Sequence, residues 1–122
     1  MTKILVIDDD DFVRKLICNA LKKAGFEVLD AVDGNDGIKK LHDERSEIII
    51  TDILMPDKEG IETIMEIKAM DSNIKIIAMS SGGSSKNMSF LNMAKKVGAP
   101  QILSKPFNIA ELLEAVNAVQ AG

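Results

Sequence analysis

Ile4-Leu5-Val6-Ile7-Asp8-Asp9-Asp10-Asp11 sets four apolar residues directly against four aspartates. The apolar run is too short for a helix and has no polar alternation, so it suits a β-strand buried on both faces. Such a strand needs helices on either side, and the following sequence supplies them. Val13, Leu16, Ile17, Ala20, Leu21 and Ala24 recur at helical spacing, and Gly25 stops the pattern. Phe26 to Leu29 reads as a second strand, and a helix over 35–43 turns Ile38 and Leu41 inward. Ile48 to Thr51 reads as a third strand, and Ile61, Ile64, Met65 and Ile67 mark a helix opened by Gly60. Ile74 to Met79 is a fourth strand, followed by a helix marked by Met88, Leu91, Ala94 and Val97 and closed by Gly98. Ile102 and Leu103 carry a short fifth strand. Asn108 caps a last helix with Glu111 as in a capping box, and Ile109, Leu112, Leu113, Val116 and Val119 keep its period. The pattern predicts an α/β fold, a doubly wound parallel sheet of five strands with five helices on its two faces. No linker, repeat or low-complexity stretch interrupts it, so residues 1–122 read as one domain.

Composition narrows the function. The chain has 122 residues, with Lys and Arg totalling 15 against 19 Asp and Glu, a net charge of −4. An acidic chain is a poor binder of phosphate backbones, so no direct nucleic-acid partner is expected. No apolar run approaches the roughly 18 residues of a membrane span, and the aspartates at the start resemble no signal peptide. Cys18 is the one cysteine, which fits a reducing, cytoplasmic setting. The four aromatics are all Phe, too few for a base-stacking or flavin platform. Cys18 reads as a surface thiol off the main helical stripe, His42 as a solvated helix end, and the seven methionines as core filler.

In parallel α/β sheets the functional crevice lies beyond the carboxyl ends of the strands. Asp8 and Asp9 end the first strand and Asp52 the third. Adjacent strands run roughly 4.8 Å apart, so these carboxylates converge. Like charges that close repel unless a cation intervenes, and a hard divalent ion such as Mg²⁺ is the natural remedy. Ser80 after the fourth strand adds a hydroxyl, and Lys105 after the fifth a fixed positive charge. Together these make a pocket for a phosphoryl group, in which one Asp can act as nucleophile and form an acyl phosphate. Asp10 and Asp11 read instead as the charge cluster that opens a helix.

The chain resembles the receiver domain of two-component response regulators. The matching residues are Val6-Ile7-Asp8-Asp9, Asp52-Ile53-Leu54-Met55-Pro56 with Gly60, Ser80, Gly98-Ala99 and Lys105-Pro106-Phe107. The resemblance runs from Lys3 to about Val119. It implies the flavodoxin-like strand order 2-1-3-4-5 and a phospho-acceptor switch. Asp52 would accept the phosphoryl group from a histidine kinase, a phosphotransfer protein or a small phosphodonor. Asp9, Asp52 and the backbone carbonyl of Leu54 would ligate Mg²⁺, with Asp8 acting mainly through a metal-bound water. Lys105 would pair with phosphoryl oxygens, and Ser80 would move to hydrogen-bond them and so shift a surface that binds a downstream protein. A cis bond before Pro106 is also implied. The implied state is a monomer, with dimerisation on phosphorylation open.

The sequence departs from the family at Ile102, where an aromatic is usual, so an aromatic toggle is not expected and Ile102 reads as simply packed. The segment between Ser80 and Lys105 is longer than in chemotaxis-type receivers. The extra length falls in Ser81 to Ser85, a loop whose ordering is the expected output. Met88, Phe90 and Met93 give the fourth helix apolar surface beyond one buried face. Two other functions compete. Asp8 and Asp10 have the spacing of a haloacid-dehalogenase-like phosphatase nucleophile and acid, and the fold also suits a phosphorylation-independent interaction module. The chain closes at Gly122, which leaves open a stand-alone receiver or a piece of a longer regulator.

Overall fold

A computed structural model describes residues 2–53, 60–80, 92, 95, 96 and 98–121. Among the described residues the elements run β1 (Lys3–Ile7), α1 (Asp11–Lys23), β2 (Glu27–Ala31), α2 (Gly34–Asp43), β3 (Ile48–Asp52), α3 (Gly60–Met70), β4 (Lys75–Ser80), β5 (Gln101–Ser104) and α4 (Ile109–Ala121). All neighbouring strands are parallel, in the order β2-β1-β3-β4-β5. The expected helix over Met88 to Val97 lies mostly outside the described residues, as does the loop 81–85; Asn92, Lys95 and Lys96 within that helix are helical.

The continuous apolar strands are explained by two cores, one on each face of the sheet. Leu5, Ile7, Ile49, Ile76 and Ala78 point to one face and meet Leu41 of α2 and Ile61, Ile64 and Ile67 of α3. Ile4, Val6, Ile48, Ile50, Ile77 and Met79 point to the other and meet Ile17 and Leu21 of α1 and Leu112 and Val116 of α4. Successive side chains alternate faces, so a strand covered on both sides must be apolar at every position. Ile102 packs partly buried against the first core.

The helix ends follow their local chemistry. The Asp10 side chain accepts from the amides of Phe12 and Val13, which makes Asp10 the N-cap of α1. Gly25, at φ 97°, ends the same helix, with Gly25 N donating to Lys22 O and Phe26 N to Leu21 O. That pair of bonds is the Schellman arrangement, and its left-handed residue is where glycine has no Cβ to clash. At α4 the Asn108 and Glu111 side chains accept each other's amide protons at 2.8 and 3.1 Å.

Four expectations need correction. β2 runs on through Asp30 and Ala31 rather than ending at Leu29, because both residues continue the ladder with Val6 and Ile7. Met65 is 56% exposed, on the outer side of α3, while Ile64 and Ile67 are fully buried. Leu16 and Ile109 are about half exposed, at the margins of their helices. Cys18 is buried, not a surface thiol. It joins the second core beside Ile17 and Leu21, because α1 covers β2 as well as β1 and its buried arc is wider than one stripe. Among the described residues no helix is long and apolar enough to cross a membrane.

Burial, with a smaller push from Asp30, raises the Cys18 thiol to about 11. At pH 8 Cys18 should therefore react with a disulfide reagent about 100-fold more slowly in the native than in the denatured chain. A raised thiol pKa contributes its full stability below the ordinary value of 9.0, and that contribution is lost as the pH rises towards 11. Urea titrations of the native protein and Cys18→Ala between pH 8 and 11 check this: the native protein should lose stability relative to the variant as the pH rises.

Candidate functional site

Parallel register brings the key residues to one end of the sheet. Ile7 pairs with Thr51, so Asp8 and Asp52 follow as neighbours at the carboxyl ends of β1 and β3. Asp52 also pairs with Met79, and one residue further Ser80 pairs with Ser104, next to Lys105. Asp8, Asp9 and Asp52 each offer a carboxylate oxygen, and the three atoms lie within 4.8 Å of one another. Asp8 and Asp52 are buried and Asp9 is exposed.

Two buried carboxylates this close repel strongly in a low-dielectric setting. The Lys105 ammonium offsets the repulsion by donating to Asp52 Oδ2 at 2.8 Å and to Asp8 Oδ2 at 3.1 Å. Burial pulls the Lys105 pKa down, but Asp52 and then Asp8 outweigh it, and the net shift is upward from 10.5. Asp8 Oδ1 takes a further proton donor, the Asp10 amide, at 2.9 Å. The Lys105 amide donates to the Ser80 carbonyl at 2.6 Å, and the Lys105–Pro106 bond is cis. Ser80 is buried at the end of β4, on the same rim.

The site thus joins all the described candidates: Asp8, Asp9, Asp52, Ser80 and Lys105. Leu54 lies outside the described residues. Asp10 does not join the site; its carboxylate is committed to capping α1. The donor set suits Mg²⁺: three hard carboxylate oxygens, two buried and one facing solvent, where the ion can keep waters.

Two residues that shape this site were not read as such from sequence. The Gly60 amide donates to Ile53 O at 2.7 Å, and a Cβ on Gly60 would stand 2.4 Å from both the Asp52 carbonyl oxygen and Ile53 Cα. The N-terminus of α3 therefore presses on the main chain that carries Asp52. Arg14 is buried, with its guanidinium on the Asp8 carbonyl, Asp11 and Asp30. The available signal was its position: an arginine three residues before Ile17 and seven before Leu21 shares their inward face.

Residues 4–117 match the family model described as the response regulator receiver domain. A chemotaxis protein CheY of Thermotoga maritima is 35% identical over 118 residues, covering 96% of each chain. The solved chemotaxis protein CheY4 of Vibrio cholerae superposes with a TM-score of 0.89 at 30% identity, covering 98% of each chain. The response regulator protein TrrA of Thermotoga maritima, solved in complex with Mg²⁺ and BeF, gives a TM-score of 0.85 at 31% identity over 98% of this chain and 99% of that one.

Lys105→Met should lower stability by about 1–3 kcal/mol at pH 7, since it removes the ammonium that two buried carboxylates share. The native ammonium, its pKa raised, contributes fully below about pH 10, and the contribution fades as the pH climbs through the folded value. The gap between native and variant midpoints in urea should therefore narrow above pH 10.5. Gly60→Ala should cost about 2 kcal/mol or more, because the obstructing atoms are backbone and cannot rotate away; thermal unfolding measures it.

Proposed function

The chain belongs to the response regulator receiver domain family, and from that premise we propose that Asp52 is the residue that takes up the phosphoryl group. Such a domain is a phospho-acceptor switch of a two-component system, not a classical enzyme. The observation that carries the assignment to Asp52 is its carboxylate, held 2.8 Å from the Lys105 ammonium within the three-carboxylate cluster.

An Asp52 oxygen attacks phosphorus and forms a P–O bond. The P–N bond of a phosphohistidine, or the P–O bond of a small acyl phosphate, breaks on the opposite side. The departing imidazole takes a proton from water, or the carboxylate leaves as an anion. Asp52 is left as a mixed anhydride, which water later cleaves. Mg²⁺, when bound, supplies charge neutralisation on the transferred oxygens. Asp9 and Asp52 would be its direct ligands with the Leu54 carbonyl, and Asp8 would act mainly through a metal-bound water. Lys105 exchanges a carboxylate for a phosphoryl oxygen as charge grows there. Ser80 donates its hydroxyl to the phosphoryl group, a bond made only in the modified state, and so biases the conformational equilibrium. In this way the chain assists its own phosphorylation and dephosphorylation.

The proposed donor is a histidine kinase or phosphotransfer protein, and the proposed reader is a downstream protein in the cytoplasm. Residues 1–122 act as one receiver unit. The solved complex of TrrA with Mg²⁺ and BeF supports the same chemistry by similarity. The phosphatase reading through Asp8 loses its second acid, since Asp10 spends its carboxylate on two α1 amides.

Incubation with acetyl phosphate and Mg²⁺ should add one phosphoryl group by intact mass. The adduct should vanish in Asp52→Asn and on chelation of the metal. Phosphorylation that persists in Asp52→Asn would overturn the assignment.

A further inference from the structure

The segment 8–10 is pinned by the residue that sequence reading passed over. Arg14 is 6% exposed although it lies in the second turn of a surface helix. Its Nη1 donates to the Asp8 carbonyl at 2.8 Å, its Nε to Asp30 Oδ2 at 2.9 Å, and its Nη2 to Asp11 Oδ1 at 2.5 Å. Its own amide donates to the Asp10 carbonyl at 2.9 Å. The guanidinium thus holds the main chain just before Asp9, while the helical bond that any residue at 14 would make holds it just after. Asp8 is fixed from its remaining sides by Ala31 O, the Asp10 amide and Lys105. Between these anchors Asp9 faces solvent, its carboxylate within reach of those of Asp8 and Asp52.

We propose that Arg14 is a positioning residue for the cation: its fork locks the turn from β1 into α1 so that Asp9 is presented to the ion already in place. The inference rests on the reading of this cluster as a Mg²⁺ site. The physical gain is preorganisation. An unanchored turn would let Asp9 swing away from two like charges, and binding would have to recover that ordering cost. Partners behind a metal's ligands commonly affect affinity by 10–100-fold.

A purely electrostatic role predicts the opposite. Arg14 is a cation near a cation site, so losing its charge would tighten metal binding. Two carboxylates, Asp11 and Asp30, already sit on the guanidinium and cancel most of its field at the cluster. Geometry therefore outweighs charge. Lysine keeps the charge but lacks the planar fork that serves three acceptors at once.

Isothermal titration with MgCl₂ alone, without any phosphodonor, separates these roles. Both Arg14→Lys and Arg14→Met should weaken Mg²⁺ binding by about tenfold. Far-UV circular dichroism reports whether the variants fold. Should neither fold, Asp30→Ala removes the acceptor of one arm of the fork and should weaken Mg²⁺ binding by about threefold. Native-like affinity in the folded variants, or tighter binding in Arg14→Met alone, would overturn the positioning role while leaving the Mg²⁺ site intact. Absence of Mg²⁺ binding by the native protein would overturn the site and the positioning role together.

Discussion

Two buried carboxylates, Asp8 and Asp52, share the ammonium of Lys105. That arrangement is tolerable only because the fold brings residues from its two ends together, 97 positions apart in sequence. Asp9 adds a third negative charge at the solvent side. Three carboxylates this close repel one another, and such a cluster suits a hard divalent ion.

The rest of the molecule keeps this cluster in register. β1 and β3 are central strands, hydrogen-bonded to each other and buried on both faces by isoleucine-rich cores. Interiors packed this densely resist small displacements. Gly60 seats the N-terminus of α3 against the Asp52 main chain, and Arg14 ties the Asp8 main chain to α1 and β2. The functional carboxylates therefore sit on rigid strand ends, with their backbones clamped from opposite faces of the sheet.

Much of this was legible in the sequence because it is local. Ile4 to Ile7 and Ile48 to Ile50 announce doubly covered strands, since every position must be apolar there. Gly25, Asp10 and the Asn108–Glu111 pair mark helix ends because capping involves residues a few positions apart. The candidate site was legible as well, as charged residues placed just after apolar strands. Helix faces were harder. Cys18, Leu16 and Met65 were misjudged because periodicity gives the direction of a helix's inner face but not its width. That width depends on which strands the helix covers.

By itself, then, the sequence determined the element order, the parallel α/β class and the acidic strand ends, through backbone propensity and apolar period. Tertiary structure alone decided that Lys105 reaches both Asp8 and Asp52, and that Arg14 and Gly60 hold the site's backbone. These are contacts between side chains and main chain brought together by strand order and helix packing. Their distances are set by the whole fold, and no local pattern encodes them.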